Sequence, residues 1–136
     1  MSQKQENKKG VYAVNISPDL KKFFESNRTD FDNISKVGQL SRIIWLVDDA
    51  TPRYITTEGR EAQALFYLWK AGKKGITAQE VSSWALRLAS YIHALRHEFG
   101  LDIRTVRELQ RVKGEYGRYI LETPVTPLCL ETIKER

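Results

Sequence analysis

Apolar residues recur every three or four positions through much of the chain, a spacing typical of helices with one buried face. Residues 58–71, EGREAQALFYLWKA, show this spacing and end before a Gly-Lys-Lys-Gly turn, which predicts a helix there. Ile76 can then form a short strand. Thr77 and Glu80 have the spacing of a capping box, which predicts a short helix to about Trp84.

The sharpest periodicity lies in residues 87–99, which we predict to form a longer helix ended by glycine. Its apolar positions have the i, i+4, i+7, i+11 spacing of a buried stripe. They are Leu88, Ile92, Leu95 and Phe99. Residues 102–109, DIRTVREL, and 118–123, RYILET, flank a turn with two glycines, so we predict a β-hairpin.

The N-terminal part of the chain predicts a strand followed by two helices. Residues 11–17, VYAVNIS, alternate in the manner of a short strand, and the Ser-Pro-Asp sequence at 17–19 suits the start of a helix. A second helix is predicted from about Asn33 or Ser35 to Val47. Its apolar positions are three or four residues apart: Val37, Leu40, Ile43, Ile44 and Val47.

These elements predict a fold that is mainly α with a small β-hairpin. A strand-helix-helix module covers residues 11–47, and a helical unit with the hairpin covers 58–123. Residues 48–57 contain two acids and a proline, and we interpret them as a linker. The polar residues 1–10 are expected to be a mobile tail, and 124–136 to be a C-terminal arm or a short helix.

The order of helix, short strand, capped helix, turn, longer helix and hairpin resembles a winged helix-turn-helix. Residues 57–123 are similar to the small winged-helix domains common in phage and prophage proteins. The resemblance is carried by GITAQEVSSWALRLASYIHALRHEFGLDIRT at 75–105 and GEYGRYIL at 114–121. It implies that residues 87–99 are the recognition helix and that residues 110–118 are the wing.

By this resemblance, the face opposite the buried stripe would meet base edges in the DNA major groove. We expect that face of the recognition helix to contribute Arg87, Ser90, Tyr91, Ala94 and His97. The wing supplies cations and an aromatic ring for backbone or minor-groove contact, namely Arg111, Lys113, Tyr116 and Arg118. Two lysines after the first helix of this unit, Lys73 and Lys74, are expected to touch phosphates.

The distribution of charge fits a nucleic-acid partner. The net charge is +5 with a pI near 9.4, and residues 70–118 hold ten basic against five acidic residues. No apolar run is long enough for a bilayer, and no apolar leader follows the first methionine. Since the single cysteine cannot form an internal disulfide, we expect a cytoplasmic protein with no membrane contact.

The chain shows no pattern that points to catalysis, a metal or another cofactor. His93 and His97 are spaced to share a metal, but no third histidine exists and Cys129 is distant. We expect Cys129 to be a buried thiol rather than a nucleophile. Two acid pairs in turn-like segments are expected to cap backbone donors: Asp30/Asp32 and Asp48/Asp49. We therefore predict that the protein is not an enzyme.

Residues 11–47 resemble a ribbon-helix-helix unit, which implies a homodimer formed through the strand. In that family alternate strand side chains read the major groove. Here they would be Val11, Ala13 and Asn15, of which only Asn15 is polar. We therefore predict dimerisation through this strand but no reading of DNA by it.

The sequence thus predicts a sequence-specific, double-stranded-DNA-binding transcriptional regulator of phage or prophage type. A rival interpretation is a phage-encoded protein-interaction module that inhibits or redirects a host complex without DNA. A third is non-specific DNA binding in replication or packaging. The surface formed by the recognition helix and the wing should discriminate these, because protein docking favours an apolar face and DNA binding a positive one.

Overall fold

A computed structural model describes most of the chain beyond residue 27. The described residues are 11–13, 22, 26, 28–81, 87–110 and 114–133. The strands are β1 (Val11–Ala13), β2 (Ser41–Val47), β3 (Arg53–Glu58), β4 (Ile103–Gln110), β5 (Gly114–Leu121) and β6 (Val125–Thr132). The α-helices are α1 (Gly59–Ala71), α2 (Ala78–Val81) and α3 (Leu88–Glu98), with 3-10 turns at Phe31–Asn33 and Gly72–Lys74.

A four-stranded antiparallel sheet joins the two ends of the chain. Its strand order is β1-β3-β2-β6, so the central pair is formed by β3 and β2. Ile43, Trp45 and Val47 of β2 point into the main core, which α1 and α3 also line. Ile44 belongs to a smaller cluster with Tyr54 of β3 and two residues of β6. The strand β2 is therefore apolar on both faces.

The second helix predicted at about 33–47 is wrong, since residues 41–47 form β2. A strand buried on both faces loses the alternation of polar and apolar residues, and its continuous apolar run can then imitate helical spacing. The β-branched residues Ile43, Ile44 and Val47 favour the extended form once neighbouring strands are present. The second helix implied by the ribbon-helix-helix resemblance is therefore absent from residues 28–47.

Residues 48–57 are not a linker. Asp49 stabilises a tight turn by accepting the backbone N–H of Thr51 at 2.8 Å, and the chain returns at once as β3 with Val47 paired to Arg53. The predicted C-terminal arm is also wrong, because β6 pairs with β2 along seven positions, with an irregularity between Ile44 and Trp45. One sheet thus connects the two predicted modules.

The predictions for the rest of the chain are largely confirmed. Helices occupy 59–71 and 88–98, and β4 and β5 form the expected hairpin. Ile76 forms a short bridge with Tyr119 of β5, with N···O distances of 2.9 and 2.8 Å. The molecule is mixed α/β rather than mainly α, because the strands β2, β3 and β6 replace the predicted helix, linker and arm.

Two predictions lie wholly or mostly outside the described residues. They are the mobile tail at 1–10 and the helix predicted from residue 17. Among the described helices, none combines the length and apolar character needed to cross a membrane.

Candidate nucleic-acid interface

The helix α3 is anchored by the stripe that its periodicity predicted. Leu88, Ile92, Leu95 and Phe99 are each at most 3% exposed and belong to the main core. Arg87 immediately precedes the first turn and its side chain is exposed. Burial of this stripe directs the opposite side of α3 into solvent, so the helix presents one continuous outward face.

The outward face contains most, but not all, of the residues assigned to it from the sequence. Ser90 and His97 are exposed, whereas Tyr91 is half-buried against the core. Ala94 is only 9% exposed, so its placement on the exposed face was wrong. The apolar side of a packed helix is wider than a single stripe, and α3 packs against α1.

His93 belongs to the outward face and was missed as a candidate contact. It is exposed, and its ring centroid lies 4.1 Å from that of His97 one turn later. The signal was present in the sequence, because position 93 is three residues after Ser90 and four before His97. Among the described residues, no group of three or more histidine, cysteine or acidic side chains could hold a metal ion.

Arg96 connects α3 to the first strand of the hairpin. Its guanidinium donates to the carbonyl of Ile103, with Nε at 3.0 Å, and to the hydroxyl of Thr105 at 2.7 Å. Alternate residues of a strand share a face, so Arg107 lies on the same side of β4 as Thr105, and both are exposed. The outward face of α3 and this face of the hairpin, which we call the wing face, therefore adjoin.

Arg118 holds the wing to α2 instead of projecting freely. Its two guanidinium nitrogens donate to the two carboxylate oxygens of Glu80 at 3.1 and 2.8 Å, and one also donates to the carbonyl of Lys74 at 3.3 Å. The Glu80 carboxylate in turn accepts a hydrogen bond from the backbone N–H of Thr77 at 3.2 Å. This is one of the two bonds of the predicted capping box, and it is confirmed. Arg118 therefore lies paired at the junction between the wing and α2.

The hydrogen bond from Arg118 lowers the pKa of the Glu80 carboxyl below its ordinary value, against the opposing effect of partial burial. The bond from Thr77 and the charges of Arg118 and Lys74 act in the same direction. Glu80 is thus held as an anion at neutral pH, and the junction between α2 and the wing is an ion pair.

The remaining residues predicted to contact DNA are Lys73, Lys74, Arg111, Lys113 and Tyr116, and the structure describes the side chains of only the first two. Lys73 and Lys74 are exposed in the 3-10 turn that Arg118 contacts. Arg111 and Lys113 fall outside the described residues. Tyr116 pairs with Glu108 in the hairpin, and only its backbone is described.

The described surface offers little to an apolar partner or to nucleophilic chemistry. Leu40 is the one large hydrophobic side chain that is exposed in the part of the chain with described side chains, and it is remote in sequence from α3. Cys129 is buried as predicted, and burial raises the pKa of its thiol, so the reactive thiolate is disfavoured.

A family model described as a winged helix domain matches residues 54–131, a range that includes the three helices, the hairpin and nearly all of β3 and β6. No curated protein and no solved structure matches the chain significantly.

Proposed function

Because the chain belongs to the winged helix domain family, we propose that it binds double-stranded DNA through α3 and the hairpin. The observation that carries the proposal is the outward face of α3. Its exposed side chains are small or hydrogen-bonding, and it adjoins the wing face along the Arg96 connection. A recognition helix requires such side chains, since they must reach base edges in a groove about 12 Å wide.

In the proposed complex, α3 enters the major groove. Ser90, His93 and His97 face the bases, while Arg87 at the start of the helix reaches a guanine edge or a phosphate. The proposed backbone contacts are basic side chains around this helix: Lys73, Lys74, Arg107, Arg111 and Lys113. Wing contacts of this kind place the helix along the duplex without themselves reading the sequence.

The finer part of the proposal is that the protein is a sequence-specific transcriptional regulator of phage or prophage type, acting in the cytoplasm. It is supported by the resemblance of residues 57–123 and by a surface with several hydrogen-bonding groups on one helix face. A homodimer remains part of the proposal. Its pairing surface would differ from the ribbon-helix-helix arrangement, since one edge of β1 pairs with β3 of the same chain.

The test is fluorescence anisotropy with random and candidate operator duplexes over a salt series. We expect steeply salt-dependent binding with a preferred sequence. Arg87→Ala should weaken binding about tenfold or more if Arg87 reads a guanine. Arg107→Ala should reduce the slope of log affinity against log salt by about 0.9 for the lost phosphate contact.

Arg42→Ala is the matched control. Arg42 is half-exposed and forms ion pairs with Glu58 and Glu131 on the four-stranded sheet. The Arg42→Ala variant therefore loses one positive charge at a place away from α3. The DNA affinity and salt slope of this variant should stay close to those of the parent. A folded parent protein that binds no duplex at low salt would contradict the proposal. Binding without sequence preference would support DNA binding but contradict the proposed role as a sequence-specific regulator.

A further inference from the structure

Arg53, the first residue of β3, lies at the junction between the four-stranded sheet and the end of α3. Its side chain is 14% exposed. On one side, Nη1 donates to both carboxylate oxygens of Asp49, at 2.9 and 3.2 Å, and to the carbonyl of Thr51 at 2.7 Å. These bonds fix the guanidinium against the β2–β3 turn.

On the other side, the same guanidinium reaches the C-terminal end of α3. Nη2 donates to the carbonyls of Phe99 and Gly100, at 2.9 and 3.2 Å. The last carbonyls of a helix have no partner within the helix and carry partial negative charge, so a cation is favoured there. One planar group thus joins the sheet to the recognition helix of the proposed interface.

The chain around this contact leaves little freedom for another arrangement. Gly100 has φ +71°, the left-handed conformation that glycine adopts after a helix end, and the N–H of Leu101 donates back to the carbonyl of Leu95 at 3.2 Å. A Cβ built on Gly100 would lie 3.2 Å from Nη2 of Arg53. The helix end is therefore shaped to receive the guanidinium.

We infer that Arg53 is a positioning residue for DNA recognition, which sets the angle of α3 by tying its C-terminal end to the four-stranded sheet. The inference rests on the proposed function. Arg96 fixes α3 to the wing, and Arg53 fixes it to the sheet, so the two arginines hold the helix from two sides. The guanidinium of Arg53 is committed to these carbonyls and to Asp49, and it neutralises no phosphate.

The test compares two pairs of variants, Arg53→Lys with Arg42→Lys, and Arg53→Ala with Arg42→Ala. Lysine keeps the charge but has no planar fork, so it cannot bridge Asp49 and the end of α3. Both Arg53 variants should bind the preferred duplex about tenfold more weakly, as when one base contact goes out of register. Their salt slope should equal that of the parent, whereas a lost phosphate contact would lower it by about 0.9.

A second measurement needs no DNA. Amide hydrogen exchange in residues 93–99 should be faster in Arg53→Lys than in Arg42→Lys, because the end of α3 loses its tether. Parent-like affinity in the Arg53 variants, or a reduced salt slope, would overturn the positioning role. If the parent itself binds no duplex, the proposed function fails, and unchanged exchange in Arg53→Lys would then overturn the tether as well.

Discussion

At the scale of single residues, Trp45 shows how β2 is locked into the core. Its side chain is fully buried, and its indole N–H donates to the hydroxyl of Thr57 on β3 at 2.9 Å. Thr57 is also fully buried, and its hydroxyl donates in turn to the carbonyl of Ile43 at 3.4 Å. Because a buried polar group is costly without a partner, this pair specifies which two strands lie side by side.

Glu80 and Arg118 provide a prediction on pH dependence. The pKa of Glu80 is lowered in the folded protein, chiefly by the hydrogen bond from Arg118. The ion pair therefore stabilises the fold above the unfolded-state pKa, and this contribution is lost as the pH falls through the folded-state pKa. Glu80→Gln should lower the free energy of unfolding by up to about 1 kcal/mol near neutral pH, a modest value because the Glu80 side chain is 42% exposed.

The measurement is urea unfolding near neutral pH and at a series of lower pH values, where the difference between variant and parent should shrink as the pH falls through the folded-state pKa of Glu80. Glu122→Gln is the matched control, since the Arg104–Glu122 pair is more exposed on its arginine side, at 57% against 17% for Arg118. Glu122→Gln should lower the free energy of unfolding by less than Glu80→Gln does. A difference for Glu80→Gln that persists undiminished at low pH would contradict this account.

At the scale of elements, the junction between α1 and the wing depends on a close approach of two backbones. Gly75 has φ +71°, and a Cβ built there would lie 2.5 Å from the carbonyl oxygen of Tyr119 and 2.7 Å from Cγ1 of Ile120. The bridge between Ile76 and Tyr119 follows directly. Only glycine lets the chain pass this close to β5.

Gly75→Ala should therefore destabilise the protein strongly, and Gly72→Ala is its matched control. Gly72 also has a positive φ, +60°, but a Cβ there meets nothing within 4 Å. Backbone strain alone should cost Gly72→Ala roughly 1–3 kcal/mol. Gly75→Ala should cost roughly 1–3 kcal/mol more, because the added methyl group must displace β5. Equal losses in urea unfolding would show that the close approach is unimportant.

At the scale of the whole molecule, the region matched by the winged helix family is not self-contained. It begins at residue 54, inside β3, and it extends into β6. These two strands do not pair with each other, because β2 lies between them. The matched region therefore depends on residues 41–47, which lie outside it.

A fragment of residues 54–136 should consequently fail to unfold cooperatively. Removal of β2 deprives β3 and β6 of their shared partner and takes Ile43, Trp45 and Val47 out of the core. We expect a broad, shallow thermal transition by circular dichroism, with the full chain under identical conditions giving a sharp one. A sharp transition of the fragment at a similar temperature would contradict the dependence on β2.

The sequence by itself determined the elements whose stability is local. The helices α1 and α3 each have an apolar face and a glycine just after their last turn, and the hairpin has turn residues between two strands. Each signal lies within about 15 residues of chain, so periodicity and turn chemistry are enough to find it. The same signals placed Arg87, Ser90 and His97 on the exposed surface around α3.

Only the tertiary structure decided the central sheet and the roles of the side chains that bind across it. Residues 41–47 have no local pattern that separates a helix from a strand buried on both faces, and their partners in β6 lie 78 to 91 residues away. Arg118 and Arg53 resemble free surface cations in the sequence, yet each binds groups 38 to 47 residues distant. Long-range pairing and burial select these arrangements, and neither leaves a periodic trace in the chain.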